Sequence, residues 1–106
     1  MDPHLQSEEI SQRLAEVCGV LAHPRRLQIL NRLARRPQTA SDLAGALKFP
    51  PAEILDHLNA LSRCGLVLEK GPRPDETYAL AHQCTDEALS LLQAIGRDAA
   101  SRRSSA

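Results

Sequence analysis

Aromatic side chains are almost missing from this sequence: Phe49 and Tyr78 are the only two, and there is no tryptophan. Two rings do not make a stacking platform of the kind that holds RNA or single strands. An excess of charge of one sign is missing too. Thirteen basic and thirteen acidic residues give a formal net charge of zero, so the chain lacks the diffuse cationic surface that dominates phosphate binding. No apolar run approaches the roughly 18 residues of a membrane span, which argues against a membrane partner. The acidic start MDPHLQSEEI holds no apolar secretory segment, so the expected compartment is the cytoplasm. Cysteine is sparse: Cys18, Cys64 and Cys84 leave one thiol unpaired under any intramolecular scheme, and free thiols in a reducing compartment are the simpler reading. There is no phosphate-cradling glycine loop, no HExxH and no nucleophile elbow. Asp56 and His57 are neighbours on an expected helix, so they point about 100° apart and do not form an acid/base pair. An enzyme is not expected.

What is present fits one globular domain. The 106 residues are 42% hydrophobic and 25% charged, enough for one adequate core and no second domain. Ser7 with Glu8 and Glu9 reads as a helix cap followed by acids in the first turn. A first helix is therefore expected from about Glu8 to Leu21, with Ile10, Leu14, Val17, Cys18 and Leu21 on one stripe. Ala22-His23-Pro24 breaks it. Pro24 starts a second helix to about Arg35, with Leu27, Leu30, Leu33 and Ala34 inward and most arginines outward. Thr39 and Asp42 form a capping box for a third helix carrying Ala40, Leu43, Ala44 and Leu47. After Phe49-Pro50-Pro51 a fourth helix runs to Cys64-Gly65, with Ile54, Leu58 and Leu61 at helical spacing. Leu66–Lys70 and Glu76–Leu80 flank GPRPD as a β-hairpin. A last helix is expected near Thr85, with Asp86 and Glu87 in its first turn and Leu89, Leu91, Leu92, Ile95 and Ala99 as its apolar set. The end SRRSSA reads as a polar, frayed tail, and the first seven residues as an arm.

The fold class expected is mainly α with a small β-hairpin: four helices, two strands and a closing helix, the order of a winged helix-turn-helix. LAHPRRLQILNRL, the DLAGAL helix, the HLNALSRCGLV junction and the YAL strand together resemble the ArsR (arsenic-repressor-like) family of bacterial regulators, over about Val17 to Ile95. The resemblance implies a transcriptional repressor on double-stranded DNA. It implies a homodimer paired through the first and last helices, with the fourth helix in the major groove and the wing on the backbone. A charge asymmetry runs the same way, since Arg13 to Arg36 contains six arginines and one acid, Glu16. An ordinary solvated helix face is the alternative there.

On this reading the fourth helix offers Glu53, Leu55, Asp56, His57 and Asn59 to the groove, and Arg25, Arg26, Lys48, Lys70 and Arg73 to phosphates. Pro50, Glu53, Leu55 and Asp56 depart from the family pattern, which favours small, polar or basic residues there. Two acids on a groove-facing surface cost energy against DNA. The competing reading is a winged-helix protein-interaction module that uses this acidic and apolar surface. Family members that sense thiophilic metals, arsenicals or oxidants imply sensor candidates Cys18, Cys64, Cys84 and His82, with a thiophilic metal ion or arsenical as the cofactor. The bland alternative for Cys18 and Cys64 is packing as small hydrophobes. The closely spaced cysteine pair of the arsenic and cadmium sensors is absent from the third helix, and Ala60 stands where a companion to Cys64 would be needed.

Overall fold

The computed structural model describes the backbone of residues 3–73, 75–81 and 83–105, and the side chains of residues 7–73, 75–81 and 86–103. The elements in order are α1 (Pro3–Leu21), α2 (Pro24–Arg35), β1 (Gln38–Thr39), α3 (Ala40–Leu47), α4 (Pro51–Arg63), β2 (Val67–Lys70), β3 (Thr77–Leu80) and α5 (Gln83–Ser105). The expected mainly α winged helix-turn-helix is therefore present, with one addition. Gln38–Thr39 pairs antiparallel with β3, giving a three-stranded sheet in the order β1-β3-β2 instead of a lone hairpin. Two residues carry no strand periodicity, so nothing local announced it.

Local signals end the central helices as expected. Thr39 accepts from the Asp42 amide at 3.0 Å while the Asp42 carboxylate accepts from the Thr39 amide at 3.4 Å, closing the capping box of α3. α4 ends in a Schellman motif: the Leu66 amide donates to the Leu61 carbonyl and the Gly65 amide to the Ser62 carbonyl, each at 3.0 Å. Gly65 supplies the positive φ of 79° that this turn requires. Pro24 and Pro51 sit in the first turns of α2 and α4, where a missing N–H costs nothing.

The outer helices differ from expectation at their ends. α1 reaches back to Pro3, whose fixed φ suits a first turn, so Ser7 lies inside the helix and is not its cap. α5 begins at Gln83, ahead of Thr85, and runs through SRRSS to Ser105 where a polar tail is expected.

The core is built from the centre of the chain. Ile29, Leu30, Leu43, Ile54, Leu58 and Leu61 are fully buried, with Val67 and Tyr78 from the sheet and Leu89 from α5 closing it. Ile29 joins Leu30 and Leu33 inside, a position the expected inward set did not include. Gln38 is buried because its side-chain amide donates to the carbonyls of Arg32 (2.7 Å) and Arg36 (3.3 Å), which α2 leaves unpaired at its end. On α1 and α5 the apolar stripes stand open: Ile10 is 52% exposed, Leu14 56%, Leu91 63%, Leu92 45% and Ile95 57%. Among the described side chains of α1, Val20 and Leu21 pack against the core. The radius of gyration, 15.7 Å, exceeds the roughly 13 Å of a close-packed domain of this size because these two helices project from the centre. Among the described residues no helix is long and apolar enough to cross a membrane.

Candidate nucleic-acid interface

α4 lies on the core by Ile54, Leu58 and Leu61, and this fixes which residues it turns outward. Ala52, Leu55, Asp56 and Asn59 are exposed and follow at three- and four-residue steps, forming one continuous outer stripe. Lys48 is exposed at the turn before α4 and holds a left-handed φ of 59°, ending α3 where glycine is the usual occupant. In the wing, Lys70 and Arg73 are exposed, and Arg73 Nε lies 3.7 Å from Glu69 Oε1.

Two of the expected contacts are corrected. His57 is 6% exposed and points into the protein, so it is not a groove-facing residue. Arg26 is half-buried beside it and spends its guanidinium internally, donating from Nε to His57 Nδ1 at 3.2 Å and from Nη1 to the Val20 carbonyl at 3.1 Å. It is not a free phosphate contact. The physical reason is the crossing of α2 over α4, which brings residues 31 positions apart together and turns both side chains inward.

The acid problem on α4 is also smaller than the sequence suggests. Arg25 Nη1 bonds Glu53 Oε2, and the same guanidinium stands 4.4 Å above the Phe49 ring. The ring face attracts the cation and steadies it for the carboxylate. Glu53 is thus neutralised within the chain, and Asp56 is left as the acid on the outer stripe. Phe49 is the residue that reading by sequence missed, and its position before a double proline was the available signal.

The profile described as "Bacterial regulatory protein, arsR family" matches residues 23–68, from the α1–α2 turn through α4 into β2. An ArsR-like transcriptional regulator from Rhodococcus sp. RHA1 is 31% identical, with a TM-score of 0.66, and the match covers 92% of this chain and 89% of that one. The chain belongs to the ArsR family. A homodimeric winged helix-turn-helix DNA-binding domain from Mycobacterium bovis, a possible ArsR-family regulator, is 26% identical to this ArsR-family chain with a TM-score of 0.78, covering 86% of this chain and 84% of the other. A "Transcriptional repressor SmtB homolog" from Synechocystis sp. is 31% identical over 81 residues, which is 76% of this chain. The chain spans 61% of that repressor's length. ArsR is a family of regulatory proteins and not of enzymes.

Of the sensor candidates of this ArsR-family chain, Cys18 and Cys64 are among the described side chains. Cys18 is exposed on α1, outside the core where the packing alternative would put it, because its stripe has no cover among the described residues. Cys64 is half-buried at the end of α4. His82 and the Cys84 side chain lie outside the described residues. Among the described residues no three His, Cys, Asp or Glu side chains form a group that could hold a metal ion.

Proposed function

We propose that this ArsR-family chain is a homodimeric repressor that binds a palindromic operator in double-stranded DNA and acts by occlusion. The observation that carries this reading is the outer stripe of α4, held on a fully buried apolar base with Glu53 already neutralised by Arg25. Asn59 offers base-edge donors and acceptors, Leu55 suits a thymine methyl, and Asp56 accepts from a cytosine amino group. Lys48, Lys70 and Arg73 flank the stripe as phosphate contacts, which set register without reading sequence. The open stripes of α1 and α5 support pairing through these two helices, since apolar faces of that extent are seldom left to water. Two-fold pairing would set the two α4 helices about 34 Å apart, one turn of DNA.

The test is affinity for the chain's own upstream promoter DNA against scrambled DNA at two salt concentrations. Steep salt dependence with clear promoter preference supports the repressor. No binding at low salt overturns it and favours the interaction-module reading, for which the exposed Leu55 and Asp56 would be the partner surface.

Control by a thiol signal belongs to the same proposal and rests on Cys18, exposed on the α1 stripe beside Leu14. A charged adduct there opposes pairing of α1, and with it operator binding. Titration of thiols is expected to find Cys18 reactive once the folded protein is diluted until the dimer separates; three unreactive cysteines there would remove this part.

A further inference from the structure

The polar groups beneath α4 form one connected set. Arg26, near the start of α2, donates from Nη1 to the carbonyl of Val20 in the last turn of α1 and from Nε to Nδ1 of His57 on α4. One guanidinium therefore spans three helices, which it can do because it offers separate donors in a rigid fork. The Val20 carbonyl is among those a helix leaves unpaired at its C-terminus, where a cation is also favoured by the helix dipole.

The geometry points to Arg26 as the positioning residue that ties the reading helix α4 to the pairing helix α1, and to a tie that holds only while His57 is neutral. This rests on the roles given to α4 and α1 above. An imidazole that accepts at Nδ1 carries its proton on Nε2. That Nε2 is buried with no hydrogen-bond partner among the described residues, and Glu53 Oε2 stands 4.0 Å away, beyond hydrogen-bond reach. A second proton would have to enter at Nδ1, donor against donor with Arg26, and would set a cation beside a guanidinium.

The groups facing the ring come from each element around it. His23, in the α1–α2 turn, meets it edge-on with centroids 4.5 Å apart. Arg26 faces it from α2, and Glu53 and Asp56 from α4 itself, with Glu53 already engaged by Arg25. Burial first, then His23 and Arg26, pushes the His57 pKa below its ordinary value against the weaker pull of Glu53 and Asp56. The unfolded value is about 6.5, so the stability contributed by neutral His57 is complete above that pH and is lost as pH falls through the lower folded value. Ile54, Leu58 and Leu61 keep α4 on the core throughout. What acid removes is its link to α1.

The test uses the full chain and two readouts. Without DNA, ring nitrogen shifts of His57 are expected to report an Nε2–H tautomer titrating below about 6.5, with α4 amide protection falling about tenfold as it does so. His57→Asn places Oδ1 where Nδ1 stood and takes no proton, so its α4 protection should stay level across that range. Arg26→Lys has one ammonium and cannot reach both Val20 and His57, so its protection should be low at every pH. On promoter DNA, the ratio of promoter to scrambled affinity should drop about tenfold as pH falls through the midpoint that the His57 ring shifts report in the wild type, and stay flat in His57→Asn. An Nδ1–H tautomer overturns the proposal, and so do α4 protection and affinity ratios that ignore both pH and Arg26→Lys; operator binding then stands. If promoter and scrambled DNA are both unbound at every pH, the functional reading falls instead, while tautomer and protection still decide the tie.

Discussion

The centre of the molecule and its two outer helices follow the same amphipathic rule and meet different ends. α2, α3 and α4 lay their apolar stripes against one another and the sheet, and their largest inward residues are fully buried. α1 and α5 also carry apolar residues at helical spacing, yet Ile10, Leu14, Leu91, Leu92 and Ile95 stay exposed. A helical repeat of apolar residues states that a face will be covered and does not state by what. In the centre the cover is the chain itself. On the outer helices the described residues supply none for these side chains, and a second copy is the occupant proposed above.

The comparison breaks most visibly in the centre. Leu58→Ala removes a fully buried side chain shared by α4 and the core, and equilibrium urea unfolding should show a loss of about 3 kcal/mol. A loss below about 1 kcal/mol would mean that the centre is no better packed than the rim. On the outer helices, the double variant Leu14→Asp with Ile95→Asp should keep its helical signal and lose its partner. Sedimentation is expected to show dimer affinity lower by about 100-fold or more, on the order of two apolar anchors. Unfolding of the double variant would instead make the outer stripes part of the monomer's own core. The smallest effect sharpens the edge between fold and function. Lys48→Gly relieves a left-handed φ of 59° and should raise stability by roughly 0.5–1 kcal/mol. Promoter affinity should fall at the same time, with the salt slope reduced by about one; unchanged affinity would remove Lys48 from the phosphate contacts.

Reading by sequence reached the central elements because their boundaries are written locally. Pro24, Thr39 with Asp42, the double proline and Gly65 each act within one turn of their own position, and all do so in the structure. The two residues of β1 were out of reach because their pairing partner, β3, is distant in sequence. The site was less legible than the fold. Glu53 reads as an acid facing DNA until Arg25, 28 residues away, is seen to hold it. His57 and Arg26 both read as surface contacts on polarity alone, and both turn inward.

The sequence by itself determined which segments are helical, the stops of the central helices, the wing and the family, because periodicity, capping and turn chemistry act over a few residues. Only the tertiary structure decided which charges on α2 and α4 remain available to a partner. That choice depends on how two helices cross, and the crossing sets Arg25 on Glu53 and Arg26 on His57.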